Sequence, residues 1–399
     1  MDVIQKIQAF NAGREPERLA LKYQKMRSSP FGFLRATCHV FYDRLPASKL
    51  FKSAPLTWVC GDLHFENFGS YKGNNRLAYF DLNDFDEAAL APANWELVRM
   101  LTSLLIGAES LSVKPSDARA LCAVFLNSYA ATLVTGKAYW VESETAQGVI
   151  KKLLIALKDR RRADFLKTRT VLKGKKRTLK VDGKKALPVT DVQRQAVIDF
   201  MAGFAQTQSQ PAFFKVLDVA RRIAGTGSLG VDRYAILVAG KGAPDGHYLL
   251  DLKQALESSV ATHFPSLQPK WRSQAHRVVE IQERMQAVPM ALLQPVQFNG
   301  GSYVLRELQP LEDRVSLDEA HQTLDELELV ASNMGQILAW AQLRSAGRQG
   351  SAIADDLIAF GTRKKWKAKL LTAARSCAVQ VKKDAALFNA SYDAGDFDV

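Results

Sequence analysis

The chain has 399 residues, of which 47% are hydrophobic, and a formal net charge of +13 at pH 7. This length allows one large or two ordinary domains, and the composition is that of a globular protein with a buried core. No apolar run reaches the roughly 18 residues of a membrane span, and the charged start lacks the apolar region of a signal peptide. The sequence therefore argues against a secreted or membrane-bound protein, and we expect a cytoplasmic one.

The first 50 residues are expected to form helices on either side of the loop Ser28 to Phe33, because Pro30 stops the first helix. The second helix is predicted over Leu34 to Leu45 and carries Arg35 just past the loop. Arg35 could contact a phosphate or a carboxylate, or form an ordinary ion pair at the surface.

The four cysteines lie far apart in mostly apolar surroundings, and no CxxC pair occurs. Only Cys60 and His64 have a spacing that metal ligands could use, and one such pair cannot complete a zinc site. We therefore expect free thiols at Cys38, Cys60, Cys122 and Cys377.

The most informative stretch runs from Trp58 to Arg99 and contains two short apolar runs, each followed by polar side chains. A Gly/Asn-rich turn predicts that the two runs are strands folded back on each other. Acidic residues after strands can be solvated turn residues or helix caps. Two clusters of hard oxygen ligands on paired strands, however, favour a Mg²⁺ site facing substrate phosphates. The clusters are Asp62, His64, Glu66 and Asn67, and then Asp81, Asn83, Asp84, Asp86 and Glu87.

In the segment GDLHFEN, the chain resembles the catalytic loop of the aminoglycoside phosphotransferase and choline kinase type of kinase-like fold, whose pattern is H-G-D-x-H-x-x-N. Cys60 stands where that family usually has His. The resemblance implies that Asp62 is the catalytic aspartate and that Asn67 is catalytic and holds metal.

The following segment, NDFDEAALAPANWEL, resembles the family pattern I-D-W-x-x-A-x-x-G-D-P-x-x-D-L. Aligning the two puts Asp84 on the metal-binding aspartate and Glu96 on the later helix aspartate, although Pro92 falls one place early. We therefore prefer Asp84 as metal ligand, with Asp81 and Asp86 as alternatives. The same block, together with SPFGFLR, also resembles domain of unknown function 2252 over about residues 22 to 345.

The basic character of the chain is local, since residues 151 to 185 hold fifteen basic side chains against three acidic ones. Such a segment could steer an acidic or phosphorylated partner, bind nucleic acid, or form a solvated hairpin with turns at Gly174 and Gly183. Phe165 is its one aromatic residue, so the stacking of a single-strand binder is missing and nucleic acid is not favoured.

A second informative stretch holds the glycine pattern G-x-G-x-x-G between two strand-like runs. In a dinucleotide-binding fold these glycines would open a helix, whereas here they lead into the strand Tyr234 to Val238. This order predicts a kinase-type loop over ATP phosphates, although a flexible hairpin turn is the plain alternative. The residues assigned to this loop are Gly225, Thr226, Gly227, Ser228, Leu229 and Gly230.

A third strand, His247 to Leu252, ends on Lys253, where the kinase-like fold places its phosphate-pairing lysine. The helix Gln274 to Ala287 offers Glu280 as the acidic partner of Lys253, with Glu257 as runner-up. The strand from Gly301 to Leu308 is expected to run along the adenine edge.

The order of these parts is unusual, because Asp62 comes about 160 residues before Gly225. A circular permutation explains it, since contacts do not depend on where a chain is cut. The segment Ser332 to Ala346 supports this interpretation. It resembles the helix that precedes the catalytic loop in small-molecule kinases, with Gln342 at the histidine of L-A-x-x-H.

We therefore predict an α+β, protein-kinase-like two-lobe fold in circularly permuted order, with a small antiparallel sheet lobe and a larger helical lobe. Residues 1–205 would form the helical catalytic lobe with the basic insertion 151–185. Residues 206–312 would form the nucleotide-clasping sheet lobe, and residues 313–399 the returning C-terminal helices.

The expected function is transfer of a phosphoryl group from ATP, with Mg²⁺, to an unidentified acceptor. Asp62 would orient the acceptor hydroxyl, and Lys253 with the glycine loop would hold the phosphates while facing Asp84. A catalytically silent kinase-like protein, an AMP transferase and a nucleic-acid binder using the basic segment remain as alternatives. The sequence indicates neither the acceptor nor an oligomeric state.

Overall fold

The computed structural model describes residues 2–46, 48–110, 112–174, 176–309 and 323–398. Within them the chain is a mixed α+β protein with fourteen α-helices and four small antiparallel sheets. The boundary at residues 312 and 313, at which the sequence analysis divides the chain, lies outside the described residues.

The helices are unevenly spread along the chain, with five short ones before the first strand and three at the C-terminal end. They are α1 Val3–Asn11, α2 Pro16–Ser28, α3 Pro30–Ala36, α4 Cys38–Asp43, α5 Lys49–Lys52, α6 Ala93–Ser110, α7 Pro115–Thr135, α8 Gly148–Asp159, α9 Arg162–Arg169, α10 Asp191–Gln206, α11 Gln274–Met285, α12 Leu324–Arg344, α13 Ala354–Thr362 and α14 Lys365–Asp393.

The strands fall into two main regions, one around the acidic block and one that begins inside the basic segment and continues after it, with one short strand between them. They are β1 Leu56–Val59, β2 Phe68–Lys72, β3 Ala78–Leu82, β4 Ala89–Pro92, β5 Val141–Glu142, β6 Thr170–Lys173, β7 Lys176–Leu179, β8 Ala186–Leu187, β9 Val216–Arg222, β10 Arg233–Val238, β11 Tyr248–Gln254, β12 Gln294–Phe298 and β13 Gly301–Glu307.

The largest sheet has six strands in the order β12-β13-β11-β10-β9-β8. Every residue of β10 is buried, because its run of apolar side chains lies between two packed faces. The predicted glycine turn connects β9 to β10, and Lys253 on β11 stands opposite Arg233. The helix α11 lies between β11 and β12 in the chain. The six strands of this sheet come from a stretch of more than a hundred residues.

One face of this sheet is covered by α10, whose Val197 and Met201 pack with Ile236 and Leu250. The basic segment covers the other face, where Leu166 and Leu179 pack with Leu237. The strand β8, which directly follows the basic segment, pairs with β9 at the sheet edge. Packing on the sheet thus begins well before residue 206, and the basic segment is a folded extension of the sheet.

The acidic block forms two separate antiparallel pairs, β1 with β4 and β2 with β3. The predicted pairing of the two apolar runs, β1 and β3, is therefore wrong, because the Gly/Asn-rich turn joins β3 to β2. The segments after β1 and after β3 still meet, since Asn67 Nδ2 donates to both Asp62 O and Asp84 O. The strand β4 leads directly into α6, so the acidic block sits at the start of a long buried helix.

Helix packing forms the main core around α6, α7, α12 and α14. Among the residues described, α7 is the one helix long and apolar enough to cross a bilayer, and about half of its apolar stretch is buried. A core helix passes the same test, and α7 packs along α12 through Tyr129, whose hydroxyl donates to Gln342 Oε1 at 2.5 Å.

The predicted helix Leu34 to Leu45 is wrong in two respects. It begins at Pro30, inside the expected loop, and it is broken into α3 and α4 at Thr37. Thr37 leaves the helical region with φ −125°, and its hydroxyl donates to Phe33 O at 2.7 Å. A threonine hydroxyl that bonds back to the main chain offers an alternative to the helical pattern. The break lets Arg35 and Cys38 face one cleft, described below.

The close crossing of α7 and α12 requires a glycine, Gly335, at the point of contact. A Cβ at Gly335 would lie 2.4 Å from Phe125 O, which cannot move without shifting α7. We expect Gly335→Ala to lower the free energy of unfolding by about 1–3 kcal/mol, the usual effect of overpacking, measured by urea denaturation.

The matched control for this substitution is Gly203→Ala in α10, where a Cβ would meet nothing within 4 Å. There the methyl group should stabilise the chain by about 0.5–1 kcal/mol, because glycine is a poor helix former. Equal effects at the two positions would contradict the close crossing.

Candidate functional site

A cleft of about 920 Å³, part of it open to solvent, lies between the six-stranded sheet, the acidic block and the first helices. Residues from all three regions line it, although they are far apart in the chain. The predicted site residues in its lining are Asp62, Asp84, Asp86, Gly225, Thr226, Gly227, Ser228 and Lys253.

Asp62 follows β1 and is held by Arg99, a buried side chain on α6. Arg99 Nε donates to Asp62 Oδ1 at 2.8 Å, and Arg99 Nη2 bonds both Asp62 Oδ1 and Leu34 O. Burial raises the pKa of Asp62, and the Arg99 charge opposes that shift. Because Oδ1 is fixed by Arg99, Oδ2 is the oxygen available to a ligand.

The glycine turn closes over this second oxygen. A Cβ at Gly227 would lie 3.9 Å from Asp62 Oδ2 and 3.0 Å from Arg35 O. Glycine at this position therefore lets the backbone approach both groups. Gly230, also predicted to contact phosphates, is outside the cleft lining, and its carbonyl instead accepts from Glu15 N at 2.9 Å.

The glycine turn is tied to the N-terminal helices by side chains that the sequence analysis missed. Arg14 Nη1 donates to Gly227 O at 2.7 Å and to Leu229 O at 3.0 Å. Lys22 Nζ donates to Gly227 O at 3.0 Å and to Asn11 Oδ1 at 2.7 Å. No local pattern signals these contacts, because the partners are about 200 residues away.

Lys253 lies in the cleft with only 6% of its side chain exposed, and its ammonium pairs with Asp86. Asp84 lines the same cleft, so the structure brings Lys253 and the preferred metal aspartate together. Glu280, the expected partner, instead accepts from Arg284 at 2.9 Å within α11 and does not line the cleft. Glu257, the runner-up, does line it.

Asn67 is buried beside the two acidic segments. Its Nδ2 donates to Asp62 O and Asp84 O, both at 3.3 Å. Within the described residues no donor reaches Asn67 Oδ1, and a buried amide oxygen without a donor is a free oxygen ligand. Asn67 Oδ1 is therefore a chemically suitable oxygen ligand next to Asp84, although Asn67 itself is outside the cleft lining.

A cation at this place would take its other ligands from a bound substrate. In the part of the chain that the structure describes, no group of three or more His, Cys, Asp or Glu side chains is arranged for a metal ion. Mg²⁺ in phosphoryl-transfer sites commonly has one or two carboxylates plus phosphate oxygens and water, so two protein ligands are compatible with it.

Asp81, an alternative metal ligand, is turned away from the cleft. Its carboxylate accepts from Arg344 Nη2 at 3.3 Å and Ala287 N at 3.0 Å, which connects the end of β3 to α12 and α11. Burial raises the pKa of Asp81, and Arg344 opposes that shift. The geometry thus gives Asp81 a structural position.

Two further acidic side chains lie around Asp62. Glu96 accepts from Cys60 N at 2.6 Å and Gly61 N at 3.2 Å, and Gln342 Nε2 lies 3.5 Å from its other oxygen. Glu87 lines the cleft and accepts from Ser259 N at 2.5 Å. Burial raises the pKa of each carboxyl to about 7.

A buried carboxylate missed by the sequence analysis, Asp251, lies two residues before Lys253. It accepts from Arg233 Nη2 at 2.6 Å, and it is paired with Arg222 at 2.7 Å and Arg306 at 3.4 Å. Burial alone would raise the pKa of Asp251, but the three guanidinium charges hold it well below its usual range. The strand expected along the adenine edge is therefore bordered by charged groups.

The four cysteines are free thiols, as the sequence predicts. Cys38, Cys60 and Cys122 are buried, and burial raises the pKa of each of the three. These thiols are therefore protonated at neutral pH, which does not suit a nucleophile or a metal ligand.

The raised pKa of Glu96 gives the stability of the chain a pH dependence. The folded state binds a proton more readily than the unfolded chain, so this stabilisation is present below about pH 4.5 and is lost as pH rises through about 7. We expect the difference in unfolding free energy between the natural chain and Glu96→Gln to fall over that range and to level off above it.

Urea denaturation at a series of pH values measures this difference. The control is Glu144→Gln, an exposed glutamate, for which the difference should stay flat. A flat difference for Glu96→Gln as well would mean that Glu96 titrates normally in the folded chain.

The comparisons with known proteins give one match. No curated protein and no solved structure matches the chain. The sequence profile of one family, described as uncharacterised proteins conserved in bacteria, matches residues 14–391, which is nearly the whole length. The chain therefore belongs to the DUF2252 family.

Proposed function

We propose that this protein is an ATP- and Mg²⁺-dependent phosphotransferase with a kinase-like, two-lobe fold in circularly permuted order. One observation carries the proposal: a single cleft collects Asp62, Asp84, Lys253 and the glycine turn. These groups come from segments about 160 residues apart, and phosphoryl transfer needs such a set of positioned charges.

The topology of the large sheet supports the fold assignment. A glycine turn joins the neighbouring strands β9 and β10, Lys253 lies on the next strand, β11, and α11 precedes β12 and β13 in the chain. This is the order expected of a nucleotide-clasping sheet. Gln342 at the end of α12 lies beside Glu96, which supports a chain path returning from the C-terminal helices to the catalytic segment.

Each group in the cleft has its own role in the proposed reaction, and its position determines that role. Asp62 Oδ2 accepts the proton of an acceptor hydroxyl while Arg99 holds Oδ1. The acceptor oxygen forms a bond to the terminal phosphorus, and the bond from that phosphorus to the bridging oxygen breaks. Lys253 and backbone groups of the glycine turn stabilise phosphate charge.

Mg²⁺ would be held by Asp84 and Asn67 Oδ1 and would supply further neutralisation of phosphate charge. In the structure Lys253 is paired with Asp86. A phosphate beside Lys253 would share this lysine with Asp86, so the pair keeps the ammonium in the cleft when no phosphate is bound.

The first test is ATP consumption with and without Mg²⁺, against a panel of peptides, alcohols and amines. Release of ADP with a phosphorylated acceptor supports phosphoryl transfer. Release of pyrophosphate with an AMP-carrying acceptor would assign AMP transfer to the same cleft. Absence of both products would leave a nucleotide-binding protein without catalysis.

For Asp62→Asn we expect a loss of turnover of about 10²–10⁴-fold, because a general base at the acceptor hydroxyl is removed. ATP affinity should change little, since the acceptor side of the cleft is affected. The control is Asp199→Asn on the exposed surface of α10, and full activity of Asp62→Asn would exclude the assigned role.

For Asp84→Asn we expect the gain in ATP affinity on adding Mg²⁺ to shrink at least about tenfold. Loss of an outer-shell partner of a metal ligand typically lowers metal affinity about 10–100-fold. Loss of a direct ligand should cost at least as much. Calorimetric titration of ATP with and without Mg²⁺ measures the gain. The comparison variant is Asp86→Asn, which frees Lys253 and should leave the gain intact, and the reverse pattern would make Asp86 the ligand.

A further inference from the structure

A second cavity of about 600 Å³, part of it open to solvent, lies at the far end of the six-stranded sheet. The hairpin β2–β3, the segment from α8 to α9 and the end of β13 enclose it. It shares no lining residue with the cleft. Arg160 and Arg162 of the basic segment point to this cavity and do not line the cleft.

Cationic side chains outnumber acidic ones in the cavity lining. Among the described residues, Lys72, Arg160 and Arg162 line it, together with one carboxylate, Glu307. Glu307 is already shared, because it accepts from Arg76 at 2.8 Å and lies 3.8 Å from Arg162. The guanidinium of Arg162 lies 3.5 Å from the centre of the Tyr248 ring, a contact that orients its charge.

Lys72 is a cation of the cavity lining for which the described residues provide no carboxylate partner. It is partly buried, and burial together with the charges of Arg162 and Arg160 lowers its pKa, against the effect of Glu307. Over the described ranges, no carboxylate lies within ion-pair distance of Lys72. The Lys72 ammonium and the Arg162 guanidinium are close enough to influence each other's charge, so an anion bound between them would pair with both cations.

Apart from Gln309, the rest of the described lining is apolar or aromatic. It consists of Tyr71, Leu157, Phe165, Met290 and Leu308. Small-molecule sites combine such a wall with a few convergent polar groups. This combination suits a ligand with a phosphate at one end and a flat apolar part at the other.

We propose that this cavity binds a small phosphorylated molecule, with its phosphate between Lys72 and Arg162 and its ring or apolar part against Phe165. The site is separate from the cleft and does not depend on catalysis there. The same side chains could instead form only a structural connection between the basic segment and the sheet, and the experiment below separates these two roles.

The probes are 5′-AMP, which has both a ring and a phosphate, and inorganic pyrophosphate, which has phosphate alone. Binding is measured by calorimetric titration of the full chain carrying Lys253→Ala, a substitution that reduces phosphate binding in the cleft. In that background we expect saturable binding of AMP, which Lys72→Gln weakens about tenfold or more through loss of a charge-assisted hydrogen bond. Phe165→Ala should weaken AMP binding and leave pyrophosphate binding unchanged.

Lys152→Gln is the matched control, because it removes the same charge from an exposed position in α8 outside the cavity lining. It should leave AMP binding unchanged, and Lys72→Arg should restore the affinity lost in Lys72→Gln. Melting temperatures check that each variant is folded. Absence of saturable binding of both probes, or equal losses in Lys72→Gln and Lys152→Gln, would overturn the proposal and leave the structural role.

Discussion

Two buried side chains one turn apart on α6, Glu96 and Arg99, fix the segment on which the cleft is built. Glu96 accepts the backbone N–H groups of Cys60 and Gly61, and Arg99 bonds the carboxylate of Asp62. Three successive residues after β1 are therefore attached to one helix. Buried charged groups are costly unless they are hydrogen-bonded, so any displacement of this segment breaks several bonds together.

The sequence predicts those parts of the fold that depend on local pattern. The glycine turn between β9 and β10 and the strand that carries Lys253 both follow from apolar runs and turn residues. The two apolar runs of the acidic block are strands as predicted, but they pair with β4 and β2 and not with each other. The four free thiols follow from cysteine spacing. The break at Thr37 does not, because a side-chain hydrogen bond to Phe33 O outweighs a good helical pattern there.

Side-chain partners across long chain separations are beyond such reasoning. Lys253 pairs with Asp86 and not with Glu280, although α11 has a suitable position in the sequence. Asp81 lies near the end of β3 and Asp84 just after it, yet one faces Arg344 and the other the cleft. These choices depend on how the sheet sits on the helices, which the periodicity of a single element does not encode.

Hydrogen bonds between the glycine turn and the N-terminal helices couple the movements of these two parts of the molecule. Arg14 and Lys22 together donate three hydrogen bonds to carbonyls of the turn. A bond from a charged donor such as the Arg14 guanidinium contributes roughly 1.5–3 kcal/mol. Movement of the turn away from Asp62 therefore costs these bonds unless α1 and α2 move with it. The first thirty residues therefore help to close the cleft. Ligand access to Asp62 depends on how stably these residues pack against the glycine turn.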